Sequence, residues 1–139
     1  MARATLLDTS VLSEMMRIKP EARVADFLGR TVNVIVAAVT FHELVYGAAR
    51  LEAGARKAAI VARIDLLRKQ FAERIVAIDR EVAELSGELR AGAAARGFVL
   101  EPMDSMIAAC AASRGAVLAT RNTRHFAPLG ILLADPWSA

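Results

Sequence analysis

The chain is short of the residues that build extracellular scaffolds, zinc clusters and flexible linkers. Its single cysteine, Cys110, excludes an internal disulfide and a multi-thiolate zinc site. Flanked by Ala108, Ala109, Ala111 and Ala112, that thiol reads as a small buried side chain rather than a reactive one. With only 4 prolines and 8 glycines against a 55% hydrophobic share, the composition excludes a disordered or linker-rich protein. No apolar run approaches the roughly 20 residues that cross a bilayer. The longest uncharged stretch ends at His42 after starting at Thr31, and the amino end before Asp8 is too short for a secretion signal. These absences point to a reducing cytoplasm and no membrane partner. Neither sign of charge dominates: 18 Lys and Arg against 15 Asp and Glu give +3, which permits an anionic partner without demanding one.

What remains is a chain of 139 residues, enough for one domain over 1–139 with a real core. Its pattern alternates. A short apolar run, Ala4-Thr5-Leu6-Leu7, reaches Asp8-Thr9-Ser10 and then a helical pattern from Val11 to Arg17. Pro20 suits the first turn of a second helix over Glu21 to Leu28, closed by Gly29. Val32 to Val39 reads as a strand covered on both faces. Thr40 then suits an N-cap, with Glu43 at the capping-box position and Gly47 at a close backbone approach. A longer helix follows over Ala55 to Glu73, its basic residues forming mainly a solvated face, then a strand at Ile75–Ile78, and a cap at Asp79 opens a helix running towards Gly97. The remaining pattern gives an alanine-rich helix over Met103 to Arg114, a strand at Ala116–Ala119 and a last one at Ile131–Leu133. Trp137, near the terminus, reads as an anchor. Strands alternating with helices predict an α/β fold, a three-layer α/β/α domain with a mostly parallel sheet of four to five strands.

Three acids fall where such a sheet gathers ligands. Asp8 follows a strand, Glu43 lies early in a helix after a strand, and Asp104 lies in the first turn of a helix among core side chains. All three can converge at the carboxyl edge of a parallel sheet. Each has an ordinary alternative: a helix cap for Asp8 and Glu43, and dipole-favoured placement for Asp104. His42-Glu43 does not open a zinc-protease motif, because Tyr46 stands where the second His is required. Carboxylates that share a site repel, so such a cluster implies a dication. An oxygen-only donor set favours Mg²⁺ or Mn²⁺ over Zn²⁺. The matching chemistry is attack of a metal-activated water on a phosphodiester.

The stretches Leu6-Leu7-Asp8-Thr9-Ser10-Val11-Leu12-Ser13-Glu14, Thr40-Phe41-His42-Glu43-Leu44-Val45-Tyr46-Gly47, Asp104-Ser105-Met106-Ile107-Ala108-Ala109 and Ala119-Thr120-Arg121-Asn122-Thr123-Arg124-His125-Phe126 resemble the successive motifs of PIN-domain ribonucleases. With the closing Asp135-Pro136-Trp137 they are similar to the VapC toxins, above all the FitB-like branch. The resemblance implies a Mg²⁺- or Mn²⁺-dependent endoribonuclease, the toxin of a type II toxin–antitoxin pair. It implies a small VapB-like antitoxin, operator DNA reached only through that antitoxin, a homodimer, and a structured RNA substrate such as tRNA or rRNA.

By the same resemblance Asp8, Glu43 and Asp104 match the metal-site acids, and Thr9 matches a hydroxyl position beside them. Relatives often carry a fourth acid where Asn122 or His125 stands. Here neither is acidic, which weakens a second metal site. Asn122 is the preferred occupant of that place, and His125 contacts phosphate or packs on the loop. Arg121 and Arg124 are the residues expected to meet the RNA backbone. Two further readings compete with this one. The first is another phosphoryl-transfer enzyme using Asp8 as a covalent nucleophile, although Ser10 stands where a haloacid-dehalogenase-like motif has a second Asp. The second is a catalytically weak module that binds RNA or antitoxin.

Overall fold

Leu6 and Leu7 are adjacent in the chain yet belong to different cores, and that split sets the layering. In the computed structural model, which describes residues 2–138, they lie in the strand β1 (Thr5–Leu7). Side chains along a strand alternate between the two faces of a sheet, so a strand with no exposed residue needs cover on both sides. On one face Leu6 packs with Leu118, Ile107 and Phe126; on the other Leu7 packs with Val11, Val36, Leu44 and Ile64.

The covering helices are supplied by the segments between successive strands. After β1 the chain forms α1 (Thr9–Met15), α2 (Ala22–Arg30), β2 (Val34–Ala37), α3 (Ala38–Ala49) and α4 (Ala55–Gln70). It continues through β3 (Ile75–Val76), α5 (Arg80–Ala95), α6 (Pro102–Ser113) and β4 (Val117–Ala119). The short α7 (Thr123–Phe126), a 3₁₀ turn at Ala127–Leu129 and β5 (Leu133–Ala134) complete it. The five strands stand in the order β3-β2-β1-β4-β5, and each neighbouring pair is parallel. Leu7 pairs with Val36 on one side and Ala119 on the other. The chain therefore leaves β1, β2 and β4 at one common edge of the sheet. The expected three-layer α/β/α architecture is what forms.

Several boundaries differ from the sequence reading. The apolar run from Val32 to Val39 pairs only over Val34–Ala37. Val32 is 64% exposed, and Asn33 turns into the left-handed region (φ 56°), which Asn tolerates better than most side chains. At its other end β2 passes directly into α3, so Thr40 is not the cap. The helix begins two residues earlier behind Ala37, which offers no capping side chain, and Thr40 is buried within the first turn. Gly47 meets no other backbone, for a Cβ there would have open space. Glu21 stands at the N-cap of α2, leaving Pro20 outside, and the helix runs through Gly29 to Arg30.

The cap at Asp79 forms as expected: its Oδ1 accepts from the Val82 N–H at 2.9 Å. Asp79→Ala is expected to cost about 1 kcal/mol, read as a lower urea midpoint at unchanged slope.

Candidate active site

Asp8 leaves β1 at the common edge, and its backbone N–H extends the ladder by donating to the Ala119 carbonyl at 2.9 Å. Its side chain is almost fully buried, at 5% exposure. Two hydroxyls meet it there. Thr120 Oγ1 donates to Asp8 Oδ2 at 2.7 Å, and Ser10 Oγ donates to the same oxygen at 3.0 Å. Charge is tolerated at this depth because a carboxylate with charge-assisted hydrogen bonds keeps much of the stabilisation that water gave it.

Glu43 arrives from α3. Thr9, the residue after Asp8, donates from Oγ1 to Glu43 Oε1 at 2.5 Å, and Thr40 Oγ1 lies 3.4 Å from the same hydroxyl. The expected role of Thr9 as a hydroxyl beside the acids thus has a particular partner.

Asp104 comes from the opposite side of the sheet, in the first turn of α6 behind Pro102. Its Oδ2 lies 3.0 Å from His125 Nε2. Partial burial pushes the Asp104 carboxyl above its ordinary range; contact with His125 opposes that shift, and the charge of Asp8 adds to it. Thr120, bonded to Asp8, and His125, in contact with Asp104, both belong to the segment that follows β4, which relates the two acids although nearly a hundred residues of chain separate them.

Of the two residues at the fourth place, His125 is the one whose side chain touches an acid. Asn122 instead turns its backbone N–H to Thr120 Oγ1 at 3.0 Å. Both line an open cavity of about 600 Å³ together with Asp104, Arg121, Thr123, Arg124 and Asp135. Arg121 does not project freely. Its guanidinium lies 5.0 Å from the centroid of the Trp137 ring, and the Trp137 carbonyl accepts from Arg23 at 3.2 Å. The tail is therefore tied both to the loop after β4 and to α2.

The structure gathers Asp8, Asp104 and their polar neighbours at one edge, with Glu43 linked through Thr9. Among the described residues, no three His, Cys, Asp or Glu side chains stand together as a finished ion-holding group. The sequence reading did not single out Thr120 or the hydroxyl role of Ser10. A hydroxyl directly after a strand is visible in sequence, but its partner is not, because nothing local says that β4 lies beside β1. Another buried acid, Glu14, has a structural task. The Glu21 N–H donates to its Oε2 at 2.8 Å, which with Arg17 and the more distant Arg121 holds its carboxyl below the usual range against the effect of burial. It closes the turn between α1 and α2.

Fold and edge together define a parallel α/β domain that brings Asp104 to a cavity bordered by arginines and ties the buried Asp8, through Thr120, to the start of the segment lining it. The sequence matches the PIN domain family over residues 5–130. Toxin FitB of Neisseria gonorrhoeae is 33% identical over 135 residues, covering 95% of this chain and 97% of that protein. The tRNA(fMet)-specific endonuclease VapC of Shigella flexneri is 32% identical over 135 residues, covering 96% and 97%. The crystal structure of FitAcB from Neisseria gonorrhoeae has a TM-score of 0.89 at 33% identity, covering 97% of this chain and 99% of that one. FitAB bound to an IR36 DNA fragment gives 0.88 at 32% identity, covering 96% and 95%. The chain belongs to the PIN domain family, and within it the chain is similar to VapC and FitB toxins.

Proposed function

We propose that this protein is a Mg²⁺- or Mn²⁺-dependent endoribonuclease acting as the toxin of a type II toxin–antitoxin pair. The observation that carries the reading is the attachment of two acids to the one segment that follows β4, Asp8 through Thr120 and Asp104 through His125, where Asp104, Arg121, Arg124 and His125 line a cavity.

The residues present suit a hard dication. The acids at this edge offer oxygen alone, with no thiolate among them, and oxygen donors favour Mg²⁺ or Mn²⁺. The raised Asp104 carboxyl marks a desolvation and like-charge cost that His125 offsets only in part and that a dication relieves. Asp8 and Asp104 hold the ion. When bound, it supplies the Lewis-acid charge that draws a nucleophile from water and offsets charge at phosphorus. Glu43, fixed by Thr9, orients the attacking water. Arg121 and Arg124 meet the RNA backbone, Arg121 with its reach limited by the Trp137 stack. Asn122 contributes an amide at the cavity mouth, where relatives often carry an acid, and a single ion is the simplest complement of this donor set.

The substrate is a structured RNA, tRNA or rRNA, as the name of the Shigella relative suggests. The partner is a small VapB-like antitoxin, through which operator DNA is reached; the FitAB–DNA structure supports that arrangement. Residues 1–139 form one PIN domain that acts as a homodimer in the cytoplasm. Among the described residues no helix is long and apolar enough to cross a membrane.

The expected result is cleavage of bulk tRNA in Mg²⁺ or Mn²⁺ that stops in chelator and on addition of the antitoxin. One observation favours a second reading, a binding module that does not cleave: an imidazole, not an acid, sits against Asp104. RNA bound but left intact under both ions decides for that alternative.

A further inference from the structure

Asp8 is gripped on one oxygen. Among the described residues the hydrogen bonds to its side chain, from Thr120 Oγ1 at 2.7 Å and Ser10 Oγ at 3.0 Å, both fall on Oδ2. Each hydroxyl is itself anchored by a backbone N–H of the loop between β4 and α7. Asn122 N donates to Thr120 Oγ1 at 3.0 Å, and Arg121 N donates to Ser10 Oγ at 3.3 Å. A hydroxyl has one proton to give and two lone pairs to accept with. Once an N–H occupies a lone pair, the geometry leaves the hydroxyl proton directed at the carboxylate. Two successive N–H groups of one loop thus orient two hydroxyls onto one carboxylate oxygen. Thr120 is fully buried, so water cannot substitute for its hydroxyl, whereas Ser10 is only partly covered.

We infer that Thr120 and Ser10 are positioning residues for the cation: they saturate Asp8 Oδ2, fix the plane of the carboxylate, and leave Oδ1 as the oxygen that Asp8 presents. This rests on the nuclease reading above. An Asp that offers one oxygen suits Mg²⁺ or Mn²⁺, which keep several waters and are held by one or two carboxylates in a narrow octahedral geometry. A carboxylate free to rotate would present either oxygen and lose that definition. The clamp also joins the loop bearing Arg121 and Asn122 to Asp8, so that the RNA-facing and ion-holding parts are set by the same four hydrogen bonds.

The test uses the full-length protein, Mn²⁺ titration by calorimetry, and thermal melting in chelator as the folding control. Thr120→Val keeps the shape and removes the hydroxyl. It is expected to raise the Mn²⁺ dissociation constant about tenfold or more, the usual consequence of losing a group that orients a ligand. Thr120→Ser restores the hydroxyl and should return binding to within about threefold of wild type. A role confined to packing predicts the reverse pattern, since Val fills the site better than Ser. A folded Thr120→Val that binds Mn²⁺ like wild type overturns the inference. Should Thr120→Val fail to melt cooperatively in chelator, Ser10→Ala decides in its place: several-fold weaker Mn²⁺ binding supports the clamp, and unchanged binding overturns it. Wild-type protein that neither binds Mn²⁺ nor cuts RNA removes the nuclease reading and the clamp with it. Equal binding by wild type and both variants removes the clamp alone.

Discussion

Asp8→Asn is expected to lower RNA cleavage about a thousandfold or more, equivalent to roughly 4 kcal/mol of lost transition-state stabilisation, while the protein stays folded. The substitution is nearly isosteric, and the surroundings dictate how the amide must sit. Thr120 and Ser10 both donate to the position of Oδ2, so the Asn oxygen takes that place and keeps both hydrogen bonds. The NH₂ group then occupies the position of Oδ1. A donor nitrogen facing a dication is worse than an empty site, because its hydrogens point at the positive charge. Retention of the hydroxyl contacts and of the buried volume explains why the fold survives. The comparison to make is kcat/KM on tRNA in Mn²⁺ for wild type and variant, with circular dichroism and a melting curve on the same preparations. Wild-type cleavage by folded Asp8→Asn removes Asp8 from the chemistry and leaves it a structural tie between β1 and the segment after β4, since its side chain makes no capping bond to α1.

The architecture was legible where local chemistry and tertiary placement agree. Leu6-Leu7-Asp8 reads as a buried strand that ends on an acid, and in the fold it is the central strand of the sheet. Asp79 reads as a cap and caps. Legibility failed where the neighbour decides. Thr40 has the chemistry of an N-cap, yet β2 runs into α3 without a loop, and its hydroxyl is drawn instead towards Thr9. Val32 has strand propensity, but Asn33 turns the backbone before any partner is reached. Where each acid falls in the fold could be read from sequence, because strand ends and first helical turns are local features. The Thr120 clamp could not, since it depends on β4 lying beside β1 across more than a hundred residues. The contact of His125 with Asp104 was likewise invisible in sequence, because it joins α7 to the first turn of α6.

Asp104→Asn separates the cost of the site from its use, because activity and metal-free stability are expected to move in opposite directions. Cleavage should fall about a hundredfold or more as one of the two carboxylates proposed to hold the ion is lost. The first turn of α6 favours a negative charge by only about 0.3–1 kcal/mol. Burial and the charge of Asp8 outweigh that preference, since the carboxyl is raised above its ordinary range even with His125 beside it. A group whose folded-state pKa lies above its unfolded value favours the folded state when protonated. Its stabilisation is complete below the ordinary carboxylate pKa and is lost as pH rises through the raised folded value. At neutral pH in chelator, ionised Asp104 therefore weakens the fold, and Asn, which still offers an oxygen to His125, should raise the melting temperature by about a degree or two. Below the carboxylate range that gain should vanish, because wild-type Asp104 is then neutral as well. Mn²⁺ should invert the ranking at neutral pH: an ion that binds the folded form stabilises wild type more than the variant that holds it less tightly. Melting curves at both pH values, with chelator and with Mn²⁺, give all four comparisons. A lower melting temperature for Asp104→Asn in chelator at neutral pH makes Asp104 a helix-terminus residue kept for the dipole of α6, and the ion-holding role then passes out of α6.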